Sequence, residues 1–187
     1  MEREQRQQNV HGNRISVGDI AEIGVMSALI EVSKLFMQGI PNVELTSFWL
    51  IMFTLYFGKK VFYVIPVFIL LEGLIYGFGL WWIMYLYVWP LLVCIIYLLR
   101  KKADIWCCSL VSAIFGFGFG LLCSVPYFFM GLPDGGIAGG LRSAFVWFIA
   151  GSRWDIVHGI SNFVIMLILY TPIQKVMKKI KGIESIK

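Results

Sequence analysis

A few polar side chains sit where apolar ones would be expected. Glu72 is the only charged residue in Val61–Leu99, which is otherwise almost wholly apolar. A carboxylate at bilayer depth is costly unless it is paired, protonated or wetted, so Glu72 reads as a functional group. The plainer alternative is a protonated acid bonding a neighbouring helix. Asp155, His158 and Asn162 fall at i, i+3 and i+7, one face of a helix, in a second apolar stretch. Taken singly, Asp155 suits a helix N-terminus and Asn162 suits helix–helix bonding. Together they read as a pocket wall with Arg153 just above it. Tyr85 and Trp89, four apart, add an aromatic stripe.

Asp155 and His158 resemble part of an acid–base pair, but the other parts of a catalytic set are missing. No HExxH, no GxSxG and no acidic metal cluster occurs, and the other histidine, His11, lies in a polar tail. The cysteines Cys94, Cys107, Cys108 and Cys123 all lie in apolar runs without metal-ligand spacing, as small buried hydrophobes do. We therefore expect no cofactor, no metal and no enzyme activity. An intramembrane enzyme stays a minor alternative.

The elements that must hold these residues are membrane helices. The 187 residues are 59% hydrophobic and only 14% charged, with mean hydropathy +0.79. Soluble domains have roughly 45–50% apolar and about 25% charged residues. The expected fold is an all-α integral membrane protein with about six transmembrane helices. Residues 1–19 form a polar tail without a signal-peptide core, 20–174 the membrane domain, and 175–187 a basic tail. The first span itself is expected to act as the insertion signal. Net charge is +5, but the basic residues sit in short clusters between apolar runs, which argues against nucleic-acid binding.

The spans are expected at about Ile20–Met37, Val43–Phe57, a hairpin over Val61–Leu99 that bends near Tyr76–Gly79, Ile105–Met130 and Trp154–Thr171. Glu31 and Lys34 are spaced to pair on the first span. Ala21, Gly24 and Ala28 form a small-residue stripe there, suited to packing within the chain or to docking on another membrane subunit. Pro66 and Pro90 are possible kinks. Gly116, Gly118 and Gly120 suggest loosening or tight packing. Gly131–Gly140 reads as a loop, Leu141–Ile149 as a segment too short to cross, and Gly151–Arg153 as a break. All 16 lysines and arginines except Lys34, Arg142 and Arg153 fall in the tails or in the turns after Phe57 and after Leu99. That asymmetry predicts both termini in the cytoplasm, with the Pro41-Asn42 turn, the Trp81-Trp82 bend and the 131–153 region outside.

With these features in hand, the chain resembles the substrate-binding S components of energy-coupling-factor (ECF) vitamin transporters. The resemblance rests on the small-residue stripe of the first span and on IPNVELTSFWLIMFTLYFGKK, LLEGLIYGFGLWWIMYLYVW and WDIVHGISNFVIMLILYTPI. It covers about Ile20 to Gln174. It implies capture of a vitamin-like solute from outside, with the loop between the first two spans as a lid. It also implies docking, through Ala21, Gly24 and Ala28, on a transmembrane coupling subunit driven by two ATPase subunits. No GxxxxGK[ST] phosphate loop occurs, so energy comes from those partners. The pocket so implied combines Asn42, Glu72, Trp81, Tyr85, Trp89, Trp147, Asp155, His158 and Asn162, with rings to stack a flat ligand and polar groups to orient it. The acids favour a positive or donor-rich ligand, whereas Arg153 and His158 favour an acidic one. A stand-alone secondary transporter is the main alternative.

Overall fold

The computed structural model describes residues 15–182. Arg3, Arg6, His11, Arg14 and Lys187, assigned above to the tails, lie outside the described residues. Among the described residues every regular element is a helix. In chain order they are α1 (Val17–Met37), α2 (Thr46–Phe57), α3 (Val61–Tyr76), α4 (Leu80–Leu99), α5 (Ile105–Phe117), α6 (Phe119–Cys123), α7 (Val125–Gly131) and α8 (Gly136–Ile180). Single 3₁₀ turns lie at Gly58–Lys60 and Leu132–Asp134.

Local chemistry sets the ends. Ser16 and Asp19 cap α1 reciprocally, the Asp19 N–H donating to Ser16 Oγ at 3.1 Å. Asp104 caps α5 by accepting from the Cys107 N–H at 2.7 Å. Gly58 has φ +57° and ψ −126°, far from helical values, so α2 and α3 are separate helices. The α3–α4 bend falls at Gly77–Gly79, where it was expected. Trp82 Nε1 closes it by donating to the Ile69 carbonyl at 2.8 Å. Pro66 and Pro90 sit inside α3 and α4.

α1 packs on α3, α2 on α4, and α3 on α4, while α8 runs against α5, α6 and α7. Ile23, Met26 and Ile30 give α1 one buried edge, and Phe48, Phe53, Phe68, Leu92 and Met166 fill the centre. The outward faces stay apolar: Leu70, Leu74, Leu86, Leu98, Ile160 and Ile168 are all about half exposed or more. Such continuous apolar exposure suits lipid rather than water.

Leu80–Leu99 and Gly136–Ile180 are each long and apolar enough to cross a membrane, Thr46–Tyr76 is so when α2 and α3 are taken as one stretch, and Ile105–Phe117 with Phe119–Asp134 forms a fourth, bent by 47°. α1 is not in that set, because it carries Asp19, Glu22, Glu31 and Lys34. The larger departure lies at the C-terminal end. No break occurs at Gly151–Arg153 and Leu141–Ile149 is no separate segment: α8 is continuous for 45 residues. At 1.5 Å per residue it is about 68 Å long, more than twice a bilayer core. The glycines read as a loop instead let helices touch. A Cβ on Gly131 would lie 2.6 Å from the Gly139 carbonyl oxygen, and one on Gly140 would lie 2.8 Å from that of Phe128. Packing against α7 along this seam outweighs the weak helix propensity of glycine.

The two ends of the bundle differ in chemistry. At one, Lys60 pairs with Asp19 and, at 2.6 Å, with Glu22. A Cβ on Gly58 would lie 3.3 Å from the Arg100 guanidinium, and Lys181 Nζ sits 4.0 Å from the centre of the Phe57 ring. The basic clusters therefore gather at one end. The 38–45 loop lies at the other, held to α8 where Ser161 Oγ donates to the Asn42 carbonyl at 3.3 Å.

Candidate functional site

Two cavities lie side by side beneath the 38–45 loop. The smaller, about 230 Å³, is bounded by Lys34, Asn42, Glu44, Tyr85, Trp89, Phe119 and His158. The larger, about 420 Å³, is bounded by Asn42, Trp81, Tyr85, Phe119, Trp147, Trp154 and Asp155. Asn42, Tyr85 and Phe119 belong to both walls. Asn42 adopts φ +56°, a left-handed state that asparagine tolerates, and so turns the loop over the cavities.

The elements position these groups by close approach. A Cβ on Gly116 would lie 2.8 Å from the Gly159 Cα, so α5 meets α8 backbone to backbone beside His158. At Gly118 the chain kinks from α5 into α6. The Gly120 N–H then donates to Asp155 Oδ1 at 3.0 Å, and a Cβ there would lie 2.2 Å from Asp155 Oδ2. The three glycines thus supply a contact, a kink and a cradle. Tyr87 OH bonds the Leu122 carbonyl at 2.8 Å and ties α4 to α6. Along α4, Trp81, Tyr85 and Trp89 stack edge to face at 5.3 Å per step.

Of the residues expected in the pocket, Asn42, Trp81, Tyr85, Trp89, Trp147, Asp155 and His158 line one or both cavities. Glu72 and Asn162 line neither. Glu72 is fully buried and paired with Lys34, whose side chain forms the wall in its place. Lys34 was expected to pair with Glu31 instead. The helix spacing allowed that pair, but α3 brings a closer carboxylate. Glu31 is buried, and among the described residues neither of its carboxyl oxygens has a hydrogen-bond partner. The Lys34 ammonium also lies 5.0–5.9 Å from the ring centres of Tyr76, Trp81 and Tyr85, within cation–π range. Asn162 Nδ2 reaches the Ser112 carbonyl at 3.4 Å, the helix-bonding alternative. Arg153 is exposed, 5.2 Å from the centre of the Trp154 ring.

Sequence reasoning missed Glu44, Phe119 and Trp154. Glu44 Oε1 lies 3.1 Å from His158 Nε2 and joins the loop to α8. Glu44 Oε2 accepts from the Ser47 N–H at 2.9 Å. Burial would raise its carboxyl, but the bonds from His158 and Ser47 outweigh that and hold it below the ordinary glutamate value. An acid just ahead of an apolar helix was a signal, but its partner lies more than a hundred residues along the chain. Trp154 and Phe119 carried no signal separating them from other aromatics.

Ala21, Gly24 and Ala28 are all exposed, and a Cβ on Gly24 would meet nothing within 4 Å. Among the described residues nothing packs on Gly24, and Ala21 and Ala28 stay exposed on the same face. Among the described residues no group of histidine, cysteine, aspartate and glutamate could hold a metal ion. No protein-family model matches the chain, no curated protein matches it in sequence, and no solved structure matches its fold.

Proposed function

We propose that this protein is a multi-pass cell-membrane protein that captures a small vitamin-like solute from outside for ATP-driven uptake, as the substrate-binding component of an ECF-type transporter. The observation that carries the proposal is the pair of aromatic cavities with inward polar groups, at the end of the bundle away from the basic clusters. On the positive-inside rule that end faces outward. The 38–45 loop, held by Glu44–His158 and Asn42–Ser161, acts as the lid. Six crossings follow if α1, α2, α3, α4, the bent α5–α7 unit and α8 each traverse the bilayer. α1 carries charge because its Asp19 and Glu22 meet Lys60 and its Lys34 meets Glu72 of α3. The exposed Ala21–Gly24–Ala28 stripe is left for a membrane coupling subunit, which would work with two ATPase subunits.

The test is solute uptake in cells with and without a coupling module. Uptake should require the module, and Ala28→Trp should abolish uptake while leaving solute binding unchanged. Normal uptake by Ala28→Trp would refute the docking face. One observation favours a second reading, a stand-alone ion-coupled carrier: the Glu31–Lys34–Glu72 cluster is an ionisable group inside apolar helices, as proton relays are. That reading requires uptake without ATPases, following an ion gradient.

A further inference from the structure

The larger cavity has an uneven charge distribution. Among the described residues its rings are Trp81, Tyr85, Phe119, Trp147 and Trp154, and its single charged lining residue is Asp155. Asp155 is only 8% exposed. Oδ1 takes the Gly120 N–H, while Oδ2, packed against Gly120, is buried without a hydrogen-bond partner among the described residues. The nearby cations do not serve it. Lys34 lines the neighbouring cavity and is paired with Glu72, and His158 is held by Glu44 across Phe119. Arg153 is exposed and lies over the Trp154 ring. A buried carboxylate oxygen with no partner is expensive, and a ring of aromatic faces attracts cations that shed their water. Glycine at 120 is what makes room for this carboxylate, so the cradle is built for it.

We infer that the larger cavity takes an organic cation whose positive charge lies on or beside an aromatic ring. The inference rests on the solute-capture reading and names its substrate class. The flat ring lies among the tryptophans, with the charge on the side of the Asp155 carboxylate. A cavity of about 420 Å³ is large enough for a bicyclic ring system. Donor groups on the ligand reach Asn42 at the mouth shared with the smaller cavity.

Equilibrium dialysis of the detergent-solubilised full chain against N-methylquinolinium, quinoline and quinoline carboxylate tests this, with protein-free micelles as the blank. The three probes share a ring and differ in charge. N-methylquinolinium should bind about tenfold more tightly than quinoline, and the carboxylate least. Asp155→Asn should erase the cation's advantage and leave quinoline binding within about twofold. The wild-type ranking stands even if that variant fails to fold. Equal binding of the three, preference for quinoline or its carboxylate, or no binding at all overturns the inference. The identity of any solute retained through purification separates the two claims. A neutral or acidic one leaves solute capture intact and sinks the cation; no retained solute counts against capture itself.

Discussion

Replacing Lys34 by methionine should destabilise the protein far more than replacing Lys34 and Glu72 together. Glu72 is fully buried, and among the described residues one of its oxygens has no partner and Lys34 is the one cation it pairs with. Glu31, 5% exposed, adds a second carboxyl beside it. Removing one member of a buried pair typically costs about 3–5 kcal/mol, because a charge is left unpaired. The Lys34 side chain is 26% exposed, so partial screening favours the lower figure. About 3 kcal/mol is roughly two orders of magnitude in the folding equilibrium. Lys34→Met with Glu72→Met removes both charges and should fall within about 1 kcal/mol of wild type. Equilibrium unfolding in mixed detergent micelles measures Lys34→Met, Glu72→Met and the double variant. A single-variant loss below about 1 kcal/mol, or single effects that simply add in the double variant, would refute the reasoning.

The α5–α8 contact and the lid give further expectations. Gly116→Ala places a Cβ 2.8 Å from the Gly159 Cα, so the helices must part by about 0.6 Å to restore ordinary contact. This should cost about 1–3 kcal/mol and weaken solute binding through His158, and an unchanged thermal midpoint would contradict it. Glu44 has a lowered folded-state pKa, so its stabilisation is fully present above the ordinary value of 4.5 and is lost as pH falls through the depressed value. Thermal midpoints from about pH 7 down to about pH 3 should therefore fall less steeply in Glu44→Gln than in wild type. Parallel profiles would show that the loop is not held by this carboxylate.

The helical plan was legible because apolar runs, glycine turns and basic clusters repeat on a membrane-sized scale. The α3–α4 bend appeared where Gly77–Gly79 interrupts the run. Leu141–Ile149 misled because glycine and a polar triplet look like breaks locally, while packing of Gly131 and Gly140 against their neighbours decides otherwise. The site was partly legible. Asp155 and His158 share a face by helix periodicity alone, and both line the cavities. Glu72 stood out as an isolated charge, but its pairing with Lys34 is a tertiary fact that helix spacing could not supply. The same holds for Glu44, whose role exists only because the loop folds onto α8.

The joined cavities hold or do not hold a solute, and native mass spectrometry of the gently solubilised protein decides this most directly. The wild type should carry one small molecule, and Tyr85→Ala, which opens the wall shared by both cavities, should lose it while staying folded. A bare wild-type protein, or an adduct retained in full by Tyr85→Ala, would contradict the proposed site.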